Sequence, residues 1–101
     1  MNVKKKKTGD ALTAVISGRI DTNTAPELRD ELQQSLNDVS TVTLDFKDVN
    51  YVSSAGLRVL LYLHQQLSSK GGLKLVNVKS EVNDVFEVTG FNEILDYETG
   101  E

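Results

Sequence analysis

Between Thr41 and Leu67 the hydrophobic period of this chain changes from two to 3.6 across one short loop. Val42, Leu44 and Phe46 alternate with Thr41, Thr43 and Asp45, which is a strand with one apolar and one more polar face. After Asp48-Val49-Asn50-Tyr51-Val52 come two serines, Ser53 and Ser54, and then a helical pattern that stops at Lys70-Gly71-Gly72. Strand, loop and helix in that order make half of a parallel crossover, so the segment predicts an α/β fold.

The flanking segments extend the same alternation. Val3–Lys7 and Ala11–Ser17, joined by Thr8-Gly9-Asp10, read as a hairpin ending at Gly18. The loop Arg19-Ile20-Asp21-Thr22-Asn23 leads to Thr24-Ala25-Pro26-Glu27, which matches a capping box with threonine at the N-cap. Proline is tolerated in that first turn, where its missing N–H has no helical partner. Leu28, Leu32 and Leu36 share one face, and Asn37-Asp38 closes the helix. Leu73–Val78 is a further strand, and Ser80 is placed to cap a helix carrying Val82, Val85 and Phe86. Gly90, with Phe91 behind it, reads as the end of that helix, and Ile94–Tyr97 as a short edge strand or a helical turn. The expectation is one α/β domain over 1–101, with a mixed sheet of four to five strands and interleaved helices.

The 101 residues suffice for one core. The chain is 39% hydrophobic and 26% charged and has no cysteine, which excludes disulfides, thiolate metal sites and a cysteine nucleophile. A reducing, cytoplasmic home fits this. No apolar run reaches the roughly 20 residues that cross a bilayer, and no signal peptide is visible, so no membrane partner is expected. The net charge of −4 argues against nucleic acid as the partner. Lys4–Lys7, the one basic run, reads as a solvated edge strand protected from aggregation by its lysines.

At 100° per residue, Leu57, Leu60, Leu61 and Leu67 form the core stripe of the long helix. His64 falls within that stripe as a structural residue held by a backbone carbonyl. Ala55, Arg58, Val59, Tyr62 and Gln66 lie opposite. An exposed valine and tyrosine beside an arginine and a glutamine suit an interface as well as they suit contact with the rest of the domain.

The two serines do not look like nucleophiles. The single histidine stands ten residues after Ser54, about 15 Å along the same helix. Glycine is missing from the position two before either serine, where a nucleophile elbow needs it. There is no phosphate loop or dinucleotide fingerprint, and Asp45 and Asp48, on different faces, make a poor cation site. No catalytic residue and no metal are assigned. Ser53 instead suits the N-cap, accepting from the amide of Ala55 or Gly56. Ser54 is then the first helical residue with its hydroxyl free, and the small Ala55 and Gly56 keep the space above it open. A phosphate there adds about −1.5 to −2 charges, favourable at a helix N-terminus and disruptive to a docked partner.

Asp48-Val49-Asn50-Tyr51-Val52-Ser53-Ser54-Ala55-Gly56-Leu57 resembles the signature of the STAS domains, the bacterial anti-sigma factor antagonists. Gly18-Arg19-Ile20-Asp21-Thr22 with Ala25-Pro26-Glu27-Leu28 resembles their second hallmark. The resemblance runs over essentially the whole chain and implies a STAS-type fold and a partner switch that controls transcription through a sigma factor. It implies that the unphosphorylated form binds an anti-sigma factor serine kinase of the histidine-kinase-like ATPase fold, that the kinase breaks the complex by phosphorylation, and that a PP2C-type phosphatase restores it. It maps the acceptor to Ser54, with Ser53 second, and a loop aspartate near the partner's nucleotide to Asp21. Partner contacts are expected at Asp21, Thr22, Ser53, Ser54, Ala55, Arg58, Val59 and Tyr62, with no cofactor bound by the domain itself. The alternative within the family is an unphosphorylated scaffold or regulatory subunit of a stressosome or a transporter complex.

Overall fold

Five strands lie side by side in chain order, and that order decides where the helices go. In the computed structural model, which describes residues 1–100, β1 (Asn2–Thr8) pairs antiparallel with β2 (Ala11–Ser17) through a tight turn in which Gly9 takes φ 62°. β3 (Thr41–Asp48), β4 (Gly72–Val78) and β5 (Asp96–Thr99) then add one after another, each parallel to the strand before it. Right-handed crossovers that all step the same way put every helix on the same face of the sheet.

The side chains agree. Leu12, Ala14 and Ile16 of β2, Val42, Leu44 and Phe46 of β3, and Leu73 and Leu75 of β4 are all buried. Their neighbours Thr13, Val15, Thr43, Asp45, Lys74 and Val76 stay at least partly accessible. The result is a two-layer α/β domain with one open sheet face, a mixed sheet at the upper end of the expected strand number. β1 is an edge strand. Its Lys5 turns to the helix side, where Nζ meets Glu31 at 3.0 Å, while Lys4 and Lys6 stand beside Val15 and Thr13 on the open face. No helix among the described residues is long and apolar enough to cross a membrane.

Helix α1 (Ala25–Gln33) is shorter than the leucine spacing suggested. Beyond Gln33 the chain tightens into three-residue steps, with Ser35 N–H to Leu32 O at 3.0 Å and Leu36 N–H to Gln33 O at 3.3 Å, which still bury Leu36. Helix α2 (Ser54–Leu67) begins where the serines placed it. In α3 (Ser80–Thr89) the N-cap is Lys79 and Ser80 is the first helical residue, so Ser80 is not the expected cap. Gly90, at φ 81°, ends α3 in the left-handed conformation that glycine allows. Ile94–Tyr97 turns out to be both things expected of it, the tail of a 3-10 turn at Phe91–Glu93 and then β5. Tyr97 packs edge-on against Phe86, centroids 5.0 Å apart, and donates to Asn83 Oδ1 at 2.6 Å.

The core stripe of α2 corrects the helical wheel. Gly56, Leu57, Val59, Leu60, Leu63 and Leu67 are buried, whereas Leu61 and His64 are only half-buried. The stripe is rotated by roughly 60° from the expected one. The cause is that α2 packs against α1 as well as against β4, so the arc on the α1 side closes over Val59. Leu63→Ala should therefore lose about 2–5 kcal/mol in urea unfolding. Leu61→Ala, at the half-open flank, should lose less than half as much, and equal losses would contradict this orientation of the helix.

Candidate functional site

The loops after β2 and β3 leave the carboxyl ends of adjacent parallel strands, where α/β sheets commonly bind ligands. The two strands first lose register, since Val15 lies beside Asp45 but Ser17 beside Asp48. They then pair once more. Ile20 N–H donates to Tyr51 O at 2.9 Å and Ser53 N–H donates to Ile20 O at 2.8 Å, an isolated parallel bridge between Ile20 and Val52. Both side chains are buried, at 0% and 3% exposure, so the bridge is anchored in the core. It joins the aspartate loop to the serine loop.

Gly56 sits directly beneath. A Cβ on it would lie 2.8 Å from Ile20 Cγ2 and 2.9 Å from Val52 Cγ1. This corrects the sequence reading of Gly56: it is buried, and its missing side chain lets α2 approach the bridge rather than clearing space above Ser54.

The two serines divide as their positions suggested. Ser53 is extended, with φ −84° and ψ 175°, and its Oγ accepts from Gly56 N–H at 3.2 Å. Ser54 is the first helical residue, exposed and outside the cap bond. Ala55 is half-buried against the core.

Thr24 is the N-cap of α1 as expected, but its side chain pairs with Asp21 in reciprocal bonds before the helix. Asp21 Oδ1 accepts from the amides of Asn23 at 2.9 Å and Thr24 at 3.0 Å. In return Thr24 Oγ1 accepts from the Asp21 amide at 2.9 Å and donates to Arg19 O at 2.7 Å. Thr24 thus makes no cap bond toward Glu27. The hydrogen bond from the Thr24 amide is the main cause that holds the Asp21 carboxyl below its ordinary 3.8; partial burial opposes it, and Asn23 and the Arg19 charge reinforce it. Thr22 is exposed at the crown of the loop.

Of the expected partner contacts, Asp21, Thr22, Ser53, Ser54 and Ala55 come together around the bridge. Arg58 is exposed one turn further along α2. Val59 does not belong with them, since at 9% exposure it packs into the domain's own core. Tyr62 belongs partly to both, half-buried against the core with the Arg29 guanidinium 4.2 Å above its ring. Two residues escaped the sequence reading. Arg19 lies 4.1 Å over the ring of Tyr51, which is 40% exposed, and its Nε is 3.9 Å from Asp21 Oδ2. The sequence signal was there, an arginine and a tyrosine inside the two motifs, but only the bridge shows that they meet. Asp45 is engaged elsewhere, accepting from Asn77 Nδ2 at 3.1 Å and from Lys47 N–H at 3.0 Å.

Two outcomes follow from this geometry. Gly56→Ala should cost about 1–3 kcal/mol, because the added methyl meets two buried side chains that cannot both yield; a thermal melt unchanged from wild type would show the bridge to be soft. For Asp21 the depressed pKa means a contribution to stability that is present above 3.8 and lost as pH falls through the folded value. Asp21→Asn keeps an acceptor and removes the charge. Melting temperatures followed by circular dichroism should fall more steeply for wild type than for Asp21→Asn below about pH 4, and parallel curves would rule out the charge as the source.

The STAS domain family model matches residues 2–100. The anti-sigma-B factor antagonist of Bacillus subtilis is 32% identical over 97 residues, covering 95% of this chain and 89% of that protein. An anti-sigma factor antagonist from Mycobacterium paratuberculosis has the same fold, with a TM-score of 0.85 at 21% identity over 95% of this chain and 83% of that one. SpoIIAA, an anti-sigma factor antagonist, superimposes in its unphosphorylated form at a TM-score of 0.80 with 19% identity, covering 97% of this chain and 89% of that one. The Bacillus cell fate determinant SpoIIAA in its phosphorylated form gives 0.73 with 18% identity, covering 97% and 92%. With the family model spanning all but the ends of the chain, and both hallmark loops meeting at one bridge, this protein belongs to the STAS domain family.

Proposed function

We propose that this chain is an anti-sigma factor antagonist whose binding to an anti-sigma factor is switched by phosphorylation of Ser54. The observation that carries the reading is the division of labour at the start of α2. Ser53 makes the cap, and Ser54 beside it is exposed and free of structural duty. A phosphate on Ser54 therefore changes the surface without removing a bond that the fold uses. The names of the relatives support the antagonist role, and one protein of this fold is known in both unphosphorylated and phosphorylated forms.

In this scheme the free-serine form docks on the anti-sigma factor, a serine kinase of the histidine-kinase-like ATPase fold, and liberates a sigma factor in the cytoplasm. The kinase transfers the γ-phosphoryl group of ATP to Ser54 Oγ, the hydroxyl proton leaves, and ADP is the other product. A PP2C-type phosphatase returns the hydroxyl by hydrolysis. The chain itself acts as substrate and ligand, not as catalyst, and needs no cofactor. Asp21 contributes by fixing the shape of its own loop, which the Ile20 bridge ties to the serine loop, so that both meet the partner as one preformed surface.

Incubation with the kinase and ATP followed by phosphosite mapping should place the group on Ser54 and leave Ser53 unmodified. Ser54→Ala should stay within about 0.5 kcal/mol of wild-type stability and bind the kinase irrespective of ATP. Ser54→Glu should be neutral or stabilising by about 0.3–1 kcal/mol, since its charge sits at a helix N-terminus, yet bind at least roughly tenfold more weakly. Equal binding by the two variants would sink the switch and leave a constitutive scaffold.

A further inference from the structure

All three arginines of this chain lie against or on the segment around Ser54: Arg19 over Tyr51, Arg29 over Tyr62 and Arg58 on α2 itself. Ser54, Arg58, Tyr62 and Gln66 recur at a spacing of four along α2 and form one stripe on its outer side. Arg29 reaches over from α1 to cover Tyr62 at 4.2 Å. Arg19 covers Tyr51 at 4.1 Å, next to the residue whose carbonyl holds the Ser53 amide.

Among the described residues, acidic side chains are sparse along α2 and the serine loop. The chain holds 15 aspartates and glutamates, yet none occurs between Asp48 and Glu81, and α2 contains none. On α1, Glu27, Asp30 and Glu31 line a groove with Met1–Val3, on the side turned toward β1 and away from Arg29. Asp21 Oδ1, beside Arg19, is taken by two amides, and Asp48 stands exposed where β3 ends. Three arginines give this side a positive balance within a chain whose net charge is −4.

Arginines resting on tyrosine rings, as Arg19 and Arg29 do, are partly ordered for gripping planar, bidentate acceptors, and carboxylates are the acceptors that a protein surface offers. We infer that this face docks an acidic patch of the partner protein and that phosphate at Ser54 releases the partner chiefly by cancelling the face's charge, with Arg58 as its internal counter-ion. A phosphoserine brings about −1.5 to −2 charges, enough to offset a balance carried by so few arginines. Arg58 lies four residues on, a separation of about 5–6 Å between Cβ atoms, within reach of a phosphate on Ser54. The inference rests on the antagonist reading and adds the chemistry of the surface to it. The overall negative charge and the small extent of the basic patch favour an acidic protein over a nucleic acid.

The test has a partner-free and a partner-dependent arm. In the chain phosphorylated at Ser54, phosphorus NMR titration should show the second phosphate pKa rise by roughly 0.2–0.4 unit when Arg58 is replaced in Arg58→Gln. No change would remove Arg58 as counter-ion and overturn the inference. In the second arm the kinase that phosphorylates Ser54 is titrated with unmodified protein at low and high salt. The double variant Arg29→Gln, Arg58→Gln, checked for an unchanged circular dichroism spectrum, should bind at least roughly tenfold more weakly at low salt and lose most of the salt dependence. Lys4→Gln with Lys6→Gln, the same charge loss at the β1 edge, should bind like wild type. If Ser54→Glu weakens binding while the arginine variant does not, the switch stands and this inference falls. Arginine-dependent binding of a labelled single-stranded oligonucleotide would likewise overturn it, by giving the face a different partner class.

Discussion

The rest of the site depends on two hydrogen bonds that close one isolated bridge, Ile20 N–H to Tyr51 O and Ser53 N–H to Ile20 O, at 2.9 and 2.8 Å. Each loop alone would leave one amide, that of Ile20 or that of Ser53, without its partner. Joined, they are two sides of a single preformed surface with their anchors, Ile20 and Val52, in the core. The bridge requires α2 to come close beneath it, which is possible because position 56 has no side chain. It also requires the aspartate loop to hold its own shape, which the reciprocal Asp21–Thr24 bonds provide. A backbone contact of this kind is insensitive to what the surface residues are. On the proposed function, that leaves Thr22, Ser54 and Arg58 to specify a partner.

This arrangement separates stability from signalling. The groups that hold the site together, namely the Ser53 cap, the Asp21 carboxylate and the buried glycine, face inward or bond to backbone amides. The groups available to a partner carry little of the fold's energy. On the proposed function, a charge added to Ser54 acts on association, where desolvation and charge complementarity govern the outcome, rather than on folding. At the start of α2 it is even placed favourably with respect to the helix dipole.

Much of this was legible in the residues. The change of hydrophobic period at Thr41–Leu67 placed β3 and α2, the lysine run marked an edge strand, and the spacing of Ser53 and Ser54 from the helix start separated cap from free hydroxyl. What was not legible depended on neighbours distant in sequence. A wheel drawn for α2 alone cannot know that α1 closes over Val59, so its stripe came out rotated. Thr24 is the N-cap residue of α1 as its position suggested, but its hydroxyl turns back to Asp21 and Arg19 instead of forward to Glu27. Gly56 looked like a device for openness until the Ile20 side chain appeared against it. Arg19 and Tyr51 are far apart in the chain, and only the bridge stacks them.

The central claim is that phosphorylation rewrites the surface while the bridge stays closed. Hydrogen exchange at the Ile20 and Ser53 amides, measured by NMR on the chain before and after phosphorylation at Ser54, addresses it directly. Both amides should keep their protection, with chemical-shift changes confined to the first turn of α2 and the Arg19–Thr22 loop. Loss of protection at either amide on phosphorylation would mean that the phosphate works by opening the two loops, and would contradict the account.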